Sequence, residues 1–103
     1  MKNHEIVNLD YTLKELSTQK MPGPMAFKLH YLLEKMKPLV GPIYKTLEGV
    51  TLGSPEAIEI ENIEQDVDLS ITLKESELSQ LELTPLQVQR LMPVIEKGEF
   101  IPE

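Results

Sequence analysis

Residues 58–73 read Ile58-Glu59-Ile60-Glu61-Asn62-Ile63-Glu64-Gln65-Asp66-Val67-Asp68-Leu69-Ser70-Ile71-Thr72-Leu73, and the fold turns on what backbone they take. Ile58 and Ile60 alternate with Glu59 and Glu61, while Val67, Leu69, Ile71 and Leu73 alternate with Asp68, Ser70 and Thr72. Successive side chains of a strand point to opposite faces, so a period of two predicts half-buried strands. Asn62-Ile63-Glu64-Gln65 is then the connection of a β-hairpin whose apolar face lies on the rest of the molecule.

The hairpin brings a charge problem with it. The register that pairs Ile60 with Val67 sets Glu61 opposite Asp66 and Glu59 opposite Asp68. A shifted register moves Glu59 to Ser70 but leaves Glu61 against Asp68. Like charges directly opposed destabilise a sheet by up to ~1 kcal/mol a pair. A solvated face tolerates that, as does a face covered by a cation or a basic partner. Residues 62–68 supply oxygen ligands but lack the glycine with which a calcium loop makes its sharp turn. No metal is therefore assigned. Glu59, Glu61, Glu64, Asp66 and Asp68 stand instead as the candidate partner-binding residues.

Upstream, the pattern is helical. Over residues 3–18, Ile6, Leu9, Leu13 and Leu16 recur at spacings of three and four behind Asn3, a good cap. Lys20-Met21-Pro22-Gly23-Pro24 ends that helix. Pro22-Gly23 suits the centre of a type II turn, and Pro24 suits the first position of the next helix. Residues 24–48 carry a long apolar stripe that includes Met25, Leu29, Leu32, Met36, Ile43 and Leu47. Pro38 and Gly41-Pro42 interrupt its backbone, which allows one bent helix or two. The apolar phase runs unbroken from Met36 to Leu47 and favours the bent helix, capped by Gly49. Joined by a tight turn, the two helices should pack antiparallel.

Downstream, residues 50–57 read as a loop and residues 75–80 as a short helical turn. Thr84-Pro85-Leu86-Gln87 combines a capping Thr, a Pro at the first helical position and a Gln that reaches back. A last helix over 85–96 follows, made imperfect by Pro93, with a tail from Gly98. The expected architecture is a single α+β domain over residues 1–103. Residues 1–49 form the helical half, and residues 50–103 form an acidic β-hairpin plus a C-terminal helix.

Charge divides the chain at the same place. Residues 1–50 carry seven Lys and five Asp/Glu, and residues 51–103 carry three Lys/Arg and twelve Asp/Glu, for a net charge of −7. Phosphate-backbone binding needs clustered basic side chains, so nucleic acid is disfavoured. An acidic balance fits solubility or a basic protein partner. With no cysteine there is no disulfide and no thiolate zinc site, which suits the cytoplasm. The first residues carry scattered charges, unlike a signal peptide, and no apolar run approaches the ~18–20 residues of a membrane span.

No phosphate loop, dinucleotide fingerprint or nucleophile elbow is visible, so no catalytic or cofactor-binding residue is assigned. His30 and Glu34 could pair at i,i+4 on one helix face, but a metal needs three or four ligands. Met36, Tyr31 and Tyr44 read as core or boundary residues, with partner anchoring as the alternative. Phe100-Ile101-Pro102 is the preferred contact for a homo-oligomer.

Three features together carry a resemblance. They are the first helix Glu5-Ile6-Val7-Asn8 to Leu16 with its Lys-x-Pro turn, Phe27-Lys28-Leu29 opening a long helix, and Glu82-Leu83-Thr84-Pro85 before the last one. In these the chain resembles a family of small proteins of unknown function encoded by tailed bacteriophages and prophages. Pro38 and Gly41-Pro42 depart from that family's unbroken, charged long helix. The resemblance implies expression in a bacterial cytoplasm and a binding role. It brings no site residues with it. The expected function is thus a small non-enzymatic interaction protein that binds and modulates a host or phage protein through its acidic surface. The alternative is a self-associating structural or assembly factor of the virion.

Overall fold

In the computed structural model, which describes residues 1–96, Ile6, Leu9, Leu13 and Leu16 lie along α1 (Asn3–Leu16) and are fully buried. Burying each such side chain is worth about 2 kcal/mol, which makes α1 the axis of the core. Three further helices pack on it: α2 (Gly23–Glu48), α3 (Pro55–Glu61) and, beyond the four-residue α4 (Glu75–Leu78), α5 (Pro85–Leu91). Asn3, His4 and Val7 share a cleft with Ile43 and Leu47 near the end of α2. Ser17, just past α1, shares another with Ala26 and Leu29 near the start of α2. The two helices therefore run antiparallel, as their short connection requires.

At 26 residues α2 is about 39 Å long. It passes through both Pro38 and Pro42 as one helix. Each proline withholds an N–H from the carbonyl four residues back, those of Glu34 and Pro38. Glu34, Pro38 and Pro42 all face solvent, where water can serve those carbonyls, while Met36, Val40 and Ile43 hold the opposite face in the core. The cost of the prolines falls where it is smallest.

Two local expectations at the helix starts are corrected. Gly23 is the first residue of α2 rather than the left-handed corner of a type II turn, and Pro24 takes the second helical position. Lys2, not Asn3, occupies the cap of α1, and the Glu5 carboxylate accepts its backbone N–H at 2.8 Å. Lysine offers no acceptor in return, so only the carboxylate half of a capping box forms.

The α+β class is overturned: among the described residues there is no sheet and no hairpin, and the fold is helical. Residues 58–61 belong to α3. The Ser54 hydroxyl accepts the Ala57 N–H at 3.1 Å, and Pro55 occupies the first helical position. This is the Ser-Pro equivalent of the Thr84-Pro85 signal. Along α3 the buried residue is Ala57, Ile60 is partly buried one turn on, and Ile58 is 50% exposed. Burial follows the helical period, and the alternation of isoleucine and glutamate has no structural meaning there.

Beyond α3 the alternation does describe burial. Leu69 and Leu73 are buried, Val67 and Ile71 partly so, and Asp66, Asp68, Ser70 and Thr72 face outward. Yet residues 66–73 form a lone strap across the helices. Only isolated bridges touch this region, an antiparallel one between Lys2 and Glu64 and a parallel one between Leu73 and Ile95. At Ser70 the backbone turns left-handed (φ 57°), and the Asp68 carboxylate accepts the Ser70 N–H at 2.9 Å. With no second strand, the opposed pairs Glu61–Asp66 and Glu59–Asp68 do not arise.

The strap ends in α4, which places Leu78 in the core. Thr84 and Gln87 then form a full capping box at α5, with bonds of 3.2 and 2.9 Å. Pro93 stops α5 short of the expected 85–96 span, and a 3-10 turn (Met92–Val94) follows. Leu73 donates to the Val94 carbonyl at 2.6 Å and accepts from Glu96 at 2.8 Å, tying the strap to the end of this 3-10 turn. The tail from Gly98 and the Phe100-Ile101-Pro102 contact lie outside the described residues.

Candidate functional site

The acidic segment is held in place by one buried amide. Asn3 is 4% exposed, and its backbone N–H and both side-chain polar atoms engage residues 60–65. Its backbone N–H donates to the Ile63 carbonyl at 3.0 Å and its side-chain amide to the Ile60 carbonyl at 2.8 Å. Its side-chain oxygen accepts from the Gln65 amide. Gln65 also donates its backbone N–H to the Met1 carbonyl at 2.8 Å. A buried polar side chain satisfied at every group fixes geometry well, because any shift leaves one of them unpaired. The end of α3 is thereby pinned to the start of α1.

From that anchor the five predicted residues take different settings. Glu59 projects from α3 into solvent. Glu61, the last residue of α3, is partly buried and lines a cleft of about 280 Å³ beside Asn3, His4 and Leu47. Glu64 is exposed and pairs with the amine of Met1 at 3.2 Å. Asp66 is exposed on the strap, and Asp68 is spent on the turn at Ser70. Both surface isoleucines of this region stand among them, Ile58 at 50% and Ile63 at 48% exposure.

A second polar group escaped the sequence pattern. Asp10 is 1% exposed, between the α1 and α2 helices. Its carboxylate accepts from Lys14 at 2.9 Å and from the Tyr44 hydroxyl at 3.2 Å, and the Lys14 ammonium sits 6.0 Å from the centre of the Tyr44 ring. The hydrogen bond to Asp10 raises the Lys14 pKa, while burial, helped by the Asp10 charge, raises that of Tyr44. The spacing Ile6–Asp10–Leu13 already puts Asp10 on the buried stripe, and Lys14 lies four residues on. That was the available signal. The arrangement is a clamp between the two helices, with Asp10 buried and Lys14 and Tyr44 reaching the surface.

His30 and Glu34 do not form the pair their spacing allows. Glu34 bonds Lys37 at 2.8 Å, and that hydrogen bond lowers its pKa. The His30 ring instead tilts against Tyr31, with centroids 5.8 Å apart. Among the described residues no three His, Asp or Glu side chains stand close enough to hold a metal ion, and no helix is long and apolar enough to cross a membrane. Compared with models of known protein families, with characterised proteins and with solved structures, the chain matches none.

Proposed function

We propose that this chain is a non-enzymatic interaction protein whose acidic segment engages a protein partner with a basic, apolar face. The observation that carries this reading is the composition of one largely exposed segment. Residues 46–73 hold seven carboxylates and no Lys, Arg or His, and within them Ile58 and Ile63 are half exposed. Leu52, at 83%, is more exposed still. Glu56, Glu59, Glu61 and Asp66 form no ion pair among the described residues. Apolar anchors inside a charged rim are the usual anatomy of a protein interface. A one-signed rim also speeds encounter with an oppositely charged partner. The resemblance to phage and prophage proteins suggests a host or phage protein in a bacterial cytoplasm as the partner.

Affinity capture from a host lysate tests this, comparing the native chain with Glu59→Lys/Asp66→Lys and with Ile58→Ser. A basic partner should be retained by the native chain, released as salt rises, and lost from both variants while their circular dichroism stays unchanged. Undiminished capture by the charge-reversed chain rejects the surface.

One observation favours self-association as a second reading. Phe27 and Tyr31, four residues apart on α2, are 65% and 56% exposed. Aromatic pairs of that size are costly to leave in water. Light scattering over a range of concentrations separates the two readings, because a strict monomer leaves no place for the second.

A further inference from the structure

Arg90 is the one arginine of the chain. It stands partly buried on α5, on a cleft of about 430 Å³ between α5 and α1, together with His4, Asn8 and Gln89. A guanidinium lining a cleft usually meets a carboxylate, which its planar fork of N–H groups matches. Seventeen carboxylates against ten Lys and Arg make such a pair easy to supply. Among the described residues Arg90 nonetheless forms no ion pair. Glu5 lines the same cleft, but its carboxylate accepts the Lys2 N–H at 2.8 Å and does not pair with Arg90. The remaining wall is apolar: Leu86 and Met92, 53% and 40% exposed, and Pro93.

We propose that this cleft binds a carboxylate carried on an apolar group. Arg90 takes the two carboxylate oxygens through parallel N–H bonds, the geometry its planar fork matches. His4, Asn8 and Gln89 offer further donors, and Leu86, Met92 and Pro93 cover the apolar part. The negative charge of Glu5 on the same wall disfavours a phosphate dianion, so the site selects a single negative charge. The volume falls within the roughly 300–1,000 Å³ of small-ligand pockets. A small apolar carboxylic acid and the C-terminus of a peptide ending in an apolar residue present the same chemistry. The cleft shares no residue with the acidic segment of α3 and the strap, so either reading can fail without the other.

The test is a nuclear magnetic resonance titration of the isotope-labelled full chain. The probes are phenylpropionate, acetyl-leucyl-phenylalanine as free acid and as amide, and inorganic phosphate. Either free acid should shift the Arg90 Nε–H and Met92 methyl signals with a Kd of about 1 mM. The amide and phosphate should not. A response to phenylpropionate assigns a small acid, and a response to the dipeptide acid alone assigns a peptide terminus. Arg90→Gln should weaken binding about tenfold or more, and Arg90→Lys, which keeps the charge without the fork, by less. Silence from both free acids at roughly 10 mM would overturn the proposal. So would equal binding by the amide, or undiminished binding by Arg90→Lys and Arg90→Gln together.

Discussion

Two short segments of this chain carry the same alternation of apolar and polar residues, and one is helix while the other is not. Ile58-Glu59-Ile60-Glu61 is the second half of α3, and Val67 to Leu73 is a non-helical strap that turns left-handed at Ser70. Four alternating residues fit a helix as easily as a strand, because two apolar side chains two apart constrain neither period. What decides the first segment lies upstream, in the capping hydroxyl of Ser54 and the preset backbone of Pro55. Nothing comparable precedes Val67, and seven alternating residues hold their pattern. A local start signal outweighs a short period.

Side-chain truncation gives the sharpest contrast between the two. Leu73 is fully buried in the core where the strap meets Val94, whereas Ile58 is half exposed. Leu73→Ala should lower the unfolding free energy by about 2–5 kcal/mol. Ile58→Ala should stay within roughly 0.5 kcal/mol of the native chain. Urea unfolding followed by circular dichroism measures both. Comparable losses at the two positions would mean that residue 58 faces the core as a hairpin requires, and the distinction would collapse.

The cap is the next point of attack. Ser54→Ala removes the acceptor for the Ala57 N–H, and Thr84→Ala removes that for Gln87. Each should cost about 1 kcal/mol, with loss of amide protection at the start of α3 in the first case and of α5 in the second. A silent Ser54→Ala beside a costly Thr84→Ala would show that tertiary packing, not the cap, sets α3.

How much of this was legible follows from the same physics. The α1 stripe and the unbroken phase of α2 were readable because long periodic segments leave little ambiguity, and solvent-facing prolines do not disturb a buried face. The missing strand partner was not readable, since pairing is a long-range event and the alternation of Val67 to Leu73 reports only which side is dry. Asp10 stood on the apolar stripe in plain sight, but its burial depends on Tyr44, thirty-four residues away. The acidic residues were correctly placed at the surface in the main, at Glu59, Glu64, Asp66 and Asp68. Their arrangement on one strand face depended on the hairpin and fell with it. Arg90 carries no signal in the sequence, because whether an arginine is paired depends on surroundings that only the fold supplies.

The smallest effect concerns how the strap is fastened beyond Leu73. Lys28 of α2 bonds Glu77 of α4 at 2.7 Å, both side chains being about a quarter exposed. Burial pushes the Glu77 pKa up, but the Lys28 hydrogen bond, the Lys74 N–H at 3.0 Å and the charges of both lysines outweigh it, so the net shift is downward. A carboxyl held below its unfolded value stabilises the fold at every pH above that value, and the gain disappears as pH falls through the folded one. Glu77→Gln keeps an oxygen for the Lys74 N–H and removes only the charge. At about pH 7 it should therefore cost no more than ~1 kcal/mol, given its partial exposure. The deficit should shrink as the pH falls below roughly 4, where the native carboxyl is itself neutral in the unfolded chain and then in the folded one. A deficit that stayed constant down to acid would assign the loss to packing, and the strap would then owe its anchorage to buried Leu69, Leu73 and Leu78 and to the Leu73 backbone bonds rather than to this ion pair.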